Sequence, residues 1–365
     1  MDFYIYGLLA IVAVYALLHL TMTTRDFSKR NAIDDLWLLL SVGAIVFCIG
    51  YRDLSVGLDT DSYLRLYEWA STARLFQYRD YWIEPGYAVL TILCSQYLGL
   101  TYHQFLFLIS SFYGVSLYVF IRRYSCNYLI SLLVFICLPL MSFYMTATRN
   151  AITISIMLLA LRLLEGRDVR KIVLYEAIVV ASSFLFHKSM ILCMMFPLFA
   201  YKNRHGHSLY IYATMTLLLL CGRARLYEFA SGFKHVEYTG DYFIGKLFVV
   251  YLVFFVFSLI LYRNEFRKAG AEGDFDINLM SVRVTFWSLV GMLLSHGGGD
   301  ILSRILVYFY MFYIVSVANS IEIASINERV KSFAKAAIVV VLFLFFYYFT
   351  LDKDPHGIVP YTLYK

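Results

Sequence analysis

Long apolar runs follow one another along the chain, near 3–22, 36–51, 104–121, 128–146, 149–164, 172–187, 189–201, 208–222, 243–262, 281–296, 301–319 and 334–350. A helix needs roughly 20 apolar residues to cross the hydrocarbon of a bilayer, where every backbone N–H and C=O must be bonded internally. Several runs are shorter and cross by tilting or by thinning the bilayer locally. A transmembrane barrel would instead show segments of about ten residues in strict alternation. Composition agrees with helices in lipid: 61% of residues are hydrophobic and 15% charged, against about 25% charged in soluble domains. The sequence therefore predicts an all-α, polytopic integral membrane protein with about twelve transmembrane helices, forming one domain over 1–365. The opening MDFYIYGLLAIVAVYALLHLTM has neither a basic start nor a small-residue cleavage site, so its run is expected to stay as a span. Pro139 and Pro197 fall within runs and predict kinks.

Orientation follows from where Lys and Arg fall. The stretch GYAVLTILCSQYLGL, 86–100, has 15 residues, short for a span. With it held out of the membrane and the N-terminus outside, the basic residues at 25–30, 122–123, 162–171, 202–204, 263–283 and 329–335 share the cytoplasmic side. They are 18 of the 31 Lys and Arg, as the positive-inside rule requires. Counting 86–100 as a span gives the two halves opposite bias, so 51–103 is expected to be an outer-face segment with amphipathic or re-entrant helices. The net charge of +6 is then explained by cytoplasmic loops, with no nucleic-acid partner. Cys48, Cys94, Cys126, Cys137, Cys193 and Cys221 occur singly with no CxxC pair, and read as core residues rather than a disulfide framework or metal site.

This topology brings the charged stretch YRDLSVGLDTDSYLRLYEWA (51–70) to the outer face with IEPGY (83–87), TRNA (148–151), FHKS (186–189) and HGGGDILSR (296–304). Polar groups at helix mouths must face water or one another, so their convergence marks a candidate site. Arg149 lies between two apolar runs with almost no loop, where a guanidinium wants a bidentate anion such as carboxylate or phosphate. Arg304 stands about one turn inside the next helix after three glycines, which either form no more than a tight outer turn or offer amide contacts to an anion, to which Arg304 adds full charge. Arg52 either joins them or snorkels from the second run. His187, between two runs, is a proton carrier, a donor to phosphate, or a plain helix-end residue. One of Asp59 and Asp61 caps the amphipathic helix that follows, leaving the other for chemistry. Glu84, before Pro85, opens the next helix or is itself a base.

At these residues the chain resembles the EpsG family of Wzy-type polysaccharide polymerases, membrane proteins that extend bacterial exopolysaccharide or O-antigen chains. The resemblance covers about residues 36–320 and rests on YRDLSVGLDTDSY, EPGYAVL, TRNAITISIMLLAL, FHKSMIL and LSRILVYFYMF, in that order. The family pattern often has a tyrosine directly after Gly-x-Asp. Here Thr60, Asp61 and Ser62 precede Tyr63, which leaves both Asp59 and Asp61 open as the relevant carboxylate.

The resemblance implies a polymerase of polyprenyl-diphosphate-linked repeat units, on a multi-span scaffold similar to other lipid-dependent, GT-C-like glycosyltransferases. It would sit in the bacterial inner membrane with its site facing the periplasm or exterior. Its partners would be the lipid-linked oligosaccharide, membrane lipid and a chain-length regulator protein, with no metal or other cofactor. A leaving diphosphate needs positive charge, which Arg149, Arg304 and Arg52 would supply. His187, Asp59, Asp61 or Glu84 would be the base for an attacking hydroxyl. The rivals are an O-antigen ligase, which shares the donor but usually has a large outer loop late in the chain, and a flippase, whose charges would follow a path at mid-membrane depth. A membrane acyltransferase built on His187 is a further alternative.

Overall fold

A computed structural model describes residues 2–21, 27–74, 83–201, 244–262, 275–295 and 305–364. The helices, in chain order, are α1 (Asp2–Thr21), α2 (Phe27–Gly50), α3 (Thr60–Ala70), α4 (Pro85–Ile92), α5 (Tyr102–Tyr124), α6 (Tyr128–Cys137), α7 (Leu140–Thr146), α8 (Thr148–Ala160), α9 (Val169–Leu185), α10 (Phe196–Ala200), α11 (Ile244–Tyr262), α12 (Ile277–Ser295), α13 (Val307–Tyr310), α14 (Tyr313–Ile323) and α15 (Glu328–Phe345). Among the described residues the β pairing consists of two isolated bridges, Arg52 with Leu363 and Tyr201 with Phe275.

Among the described residues, four segments are long and apolar enough to cross a membrane: Ala32–Gly50, Tyr102–Tyr124, Ile277–Leu294 and Glu328–Leu351. The α6–α7 pair adds a fifth if it is one span, bent by 51° at Pro139, whose missing N–H and ring clash end the first helix. Shorter apolar helices cover Asp2–Leu18, Lys188–Ala200, Leu247–Tyr262 and Val307–Ile323. Hydropathy reads apolar runs as continuous, whereas breaks at Pro139, Ala147 and His187 cut them into pieces below span length. The run at 208–222 lies outside the described residues. Pro197 does not kink a helix. It lies in the first turn of α10, after a 3-10 stretch over Lys188–Met195, where a missing N–H costs nothing. The stretch 86–100 divides between α4, of eight residues, and a π turn over Leu93–Tyr97, too short together to cross. Gln96 Nε2 ties it to the end of α3, donating to the carbonyls of Ala70 (2.7 Å) and Ala73 (2.8 Å).

The centre is built from α6, α8 and α14. Residues Tyr313–Ile321 of α14 and Ile130–Cys137 of α6 are all buried, as befits helices that are apolar on every side. Around them α1, α2, α9 and α15 point Leu17, Leu40, Phe184 and Phe333 outward, all strongly exposed, a surface suited to lipid tails. Cys94, Cys137 and Cys193 are core residues as expected, whereas Cys126 is exposed at a helix junction. α2 and α5 cross closely at Gly114, where a Cβ would lie 2.2 Å from Val46 Cγ2. Small residues allow such approach between membrane helices.

Polar groups divide between the two ends of the bundle. At one end Asp35 accepts from Arg122 (2.9 Å) and Tyr128 (3.2 Å), and Glu322 pairs with Lys335 (2.5 Å) and Asn127 (2.7 Å). Glu165 there takes Arg123 Nε and the Tyr124 hydroxyl, both at 2.6 Å, and the guanidinium holds its carboxyl below the usual range. Among the described residues, this end carries the basic positions of 122–123, 162–171 and 329–335. α2, α5 and α8 run from it to the opposite end, which gathers residues 51–60, Glu84, the α7–α8 break, and the C-terminal stretch 352–364.

Replacing Gly114 by Leu should cost about 1–3 kcal/mol through overpacking. The expected outcome is a lower midpoint of heat unfolding in detergent, while Gly43→Leu, where nothing lies within 4 Å of the added carbon, leaves the midpoint unchanged.

Candidate functional site

A helix leaves its last carbonyls without partners, and one side chain answers that need for two helices. Arg52 is 2% exposed. Its Nη1 donates to the Ile49 carbonyl in the last turn of α2, its Nη2 to the Met145 carbonyl in the last turn of α7 (2.7 Å), and its Nε to Val56 O (3.2 Å). A cation at two helix C-termini is favoured by both dipoles. Gly57 permits the approach: its φ is +97°, and a Cβ there would lie 2.4 Å from the Met145 carbonyl oxygen. The glycine of Gly57-Leu58-Asp59 is thereby explained by geometry.

The C-terminal stretch lies along the same segment. Asp53 N donates to Thr362 O (2.8 Å), Gly57 N to Gly357 O (2.7 Å), Leu58 N to His356 O (3.1 Å) and Tyr364 N to Tyr51 O (2.9 Å). Tyr4 Oη reaches Ile358 O (3.0 Å) and Tyr361 Oη reaches Cys48 O (2.8 Å). Sequence reasoning missed this contribution, because backbone pairing across three hundred residues leaves no local pattern.

Arg149 sits where expected, in the first turn of α8, one residue beyond the break at Ala147. Its Nη1 meets Glu84 Oε2 at 2.6 Å, with side-chain exposures of 29% and 11%. Its Nε approaches the Tyr63 hydroxyl at 3.4 Å, and the guanidinium lies 5.8 Å from the Tyr63 ring centre. Tyr63 packs edge-on against Tyr87 at 6.1 Å. Glu84 occupies the N-cap position of α4, with Pro85 behind it, yet its side chain caps no amide. Its carboxylate turns to Arg149 instead. The structure thus brings together EPGY, TRNA and the tyrosine of the 51–70 stretch.

The other carboxylates lie differently. Asp61 pairs with Arg65 one turn on (2.9 Å), and both are well exposed, 66% and 68%. Asp59 occupies the N-cap of α3 without a side-chain cap bond and is half-buried. Its backbone carbonyl accepts from Tyr63 N at 3.0 Å. Among the described residues no three of His, Cys, Asp and Glu gather in a way that could hold a metal ion. His296 and Arg304 lie outside the described residues.

His187 interrupts the apolar run between α9 and the 3-10 stretch, and its Nδ1 lies 2.5 Å from Ser189 Oγ. Ser189 Oγ reaches Tyr308 Oη at 3.3 Å, which in turn lies 2.7 Å from Thr153 Oγ1. Thr153 bonds back to the carbonyls of Arg149 (3.3 Å) and Asn150 (3.1 Å). FHKS, TRNAIT and the helix after Arg304 therefore share one buried line of hydroxyls. Tyr308 was not singled out from sequence, although it follows Arg304 by four residues.

A guanidinium at a helix break, a carboxylate paired with it and an imidazole beside hydroxyls, all at one end of an apolar helical bundle, mark a candidate polar site in a membrane-embedded protein. The chain belongs to the EpsG family, whose sequence model matches residues 35–363, nearly the whole chain. EpsG family proteins are Wzy-type polysaccharide polymerases, so membership implies polymerase activity of the glycosyltransferase kind. No curated protein and no solved structure matches the chain significantly.

Arg52→Met keeps most of the side-chain length and leaves the Ile49 and Met145 carbonyls unanswered, while Val56 O keeps its bond from Thr60 Oγ1 (2.7 Å). It should destabilise the fold by on the order of 3 kcal/mol, seen as a fall in folded yield and unfolding midpoint. Asp61→Asn, which breaks only an exposed pair, should show neither.

Proposed function

We propose that the protein polymerises polyprenyl-diphosphate-linked oligosaccharide repeat units into surface polysaccharide on the outer face of the bacterial inner membrane. The observation that carries this reading is the half-buried Arg149, set at a helix break and paired with Glu84, in a chain of a polymerase family. In the reaction, the bond between C1 of the donor's proximal sugar and the diphosphate oxygen breaks, and the pair of electrons leaves with the diphosphate. A hydroxyl oxygen of the second lipid-linked repeat forms the new bond to C1, and its proton passes to a base.

Arg149 and Arg304 bind the diphosphate and offset the charge that develops on it. Arg52, enclosed by carbonyls, supports the same end from behind. His187 is the base favoured here, since its imidazole is oriented by a line of buried hydroxyls, with Glu84, Asp59 and Asp61 as competitors. Tyr63 and Tyr87, both buried, pack beside Arg149 and Glu84 and hold the pair in place. Lateral entry suits a substrate whose lipid stays in the membrane.

Two measurements test this reading. A cysteine at Ser62 should react with an impermeant thiol reagent added from outside while one at Ser332 does not. Labelling at 332 alone inverts the orientation and sinks the outer-face assignment. Lysine retains the charge of Arg149 but not its planar fork, so Arg149→Lys should lower polymer formation on the order of 100-fold. Single lipid-linked repeats should accumulate on the outer leaflet at unchanged protein level. A normal chain-length ladder removes Arg149 from the site, accumulation on the inner leaflet favours a flippase, and intact polymer that fails to reach lipid A core favours a ligase.

A further inference from the structure

The stretch Glu84-Pro85-Gly86-Tyr87 places one carboxylate, and each of its residues contributes. Pro85 stands in the first turn of α4, where its fixed φ starts the helix and its missing N–H costs nothing. Gly86 lets α4 meet the end of α9. A Cβ there would lie 2.7 Å from both the Cβ and the carbonyl oxygen of Leu185, and backbone cannot step aside. Tyr87, 1% exposed, packs edge-on against Tyr63 (6.1 Å between ring centres) and Phe105 (6.2 Å). Glu84 itself takes the N-cap position and caps no amide. The carboxylate is firmly set at a helix mouth, yet its own helix does not use it.

It faces Arg149 instead. Glu84 Oε2 accepts from Nη1 at 2.6 Å, and the Tyr63 hydroxyl accepts from Nε at 3.4 Å, a longer and weaker contact. The remaining guanidinium N–H bonds, both on Nη2 among them, meet no protein acceptor among the described residues. A planar group anchored at two nitrogens cannot turn about its Cδ–Nε bond, so the protein sets the direction of Nη2. The exposures decide which partner looks outward: 29% for the arginine side chain and 11% for the glutamate. The guanidinium is the open member of the pair, and the carboxylate stands behind it.

We propose that Glu84 is a positioning residue: it holds the guanidinium of Arg149 so that Nη2 is presented to the donor's diphosphate, and it is not the base for the acceptor hydroxyl. The proposal rests on the reading of Arg149 as a residue that binds that diphosphate, and gives Glu84 a place within it. One carboxylate oxygen is already committed to the cation, so a base role would require the pair to part. The two roles make different demands. A base needs an ionisable carboxyl, whereas a positioning group needs only an acceptor oxygen in the right place.

In the polymerisation assay Glu84→Gln, which keeps that oxygen, should retain most of the wild-type kcat and the same pH profile. Glu84→Ala lets the guanidinium turn and should lower kcat on the order of 100-fold, the cost of a misplaced group. It should not raise KM for the lipid-linked repeat, because the lost carboxylate repels the diphosphate. Gly86→Ala changes no charged group but pushes α4 away from Leu185, and should lower kcat in the same way. Glutamine as damaging as alanine, with the acidic limb of the pH profile gone, makes Glu84 the base and overturns the proposal.

A second readout needs no substrate: 15N spectroscopy of arginine-labelled full-length protein in lipid nanodiscs, with Arg149→Lys assigning the signal. A held guanidinium rotates slowly about its Cζ–N bonds, so the wild type should show separate Nη1 and Nη2 resonances for Arg149. Glu84→Ala and Gly86→Ala should merge them, and Glu84→Gln should keep them apart. Merged resonances in the wild type, or separate ones in both alanine variants, overturn the proposal. If Glu84→Ala folds poorly because it leaves a half-buried cation alone, the wild type, Glu84→Gln and Gly86→Ala decide by the same criteria. A wild-type protein that holds its guanidinium and yet joins no repeats defeats the polymerase reading alone.

Discussion

The guanidinium of Arg52 ends two helices at once. In a hydrocarbon environment an unbonded carbonyl costs several kcal/mol, and α2 and α7 both stop where the chain must turn back into the bundle. Arg52 answers Ile49 and Met145 together and adds Val56 from the returning segment. No carboxylate pairs with it among the described residues, so its charge is met by peptide dipoles. Such an arrangement holds only if the backbone comes very close, and Gly57 grants that closeness. Everything at this end inherits the geometry: Met145 lies four residues before Arg149, and Thr148 and Ala151 share a small cavity with Arg52.

Arg149 obeys a different rule. A half-buried guanidinium without an anion is expensive, and breaking a buried pair leaves an uncompensated charge. Glu84 meets that cost, and α4 with Pro85 behind it fixes where the carboxylate stands. Under the proposed function, a diphosphate, with more negative charge and more acceptor oxygens than a carboxylate, would compete with Glu84 for the guanidinium.

Sequence made the helix boundaries of this end legible where a charge interrupts grease. Arg149, His187 and Glu84 each stand at a break in an apolar run, and the structure puts each at a helix boundary. The span count was less legible, because a proline or a single extended residue divides a helix without lowering hydropathy, as at Pro139 and Ala147. Arg52 could be seen but not understood, since its partners are main-chain oxygens of Ile49, Val56 and Met145, residues with no polar side chain to announce them. Tyr308 is one of 32 tyrosines, and only its position four residues past Arg304 distinguishes it. The two aspartates looked equivalent in Asp59-Thr60-Asp61; the helix they open turns Asp61 outward to Arg65 and leaves Asp59 at the start.

The pairing of residues 352–364 with 51–58 has a consequence for the order of assembly. The chain is made from its N-terminus, and the 51–58 segment enters the membrane long before its partners His356, Gly357 and Thr362 are synthesised. Contacts that distant in sequence form late. Until then the backbone around Arg52 lacks its four hydrogen bonds to the C-terminal stretch, so an unfinished chain holds its helices in the bilayer with that end incomplete. Maturation of that end is tied to the synthesis of residues 352–364, which acts as a clock for the whole molecule.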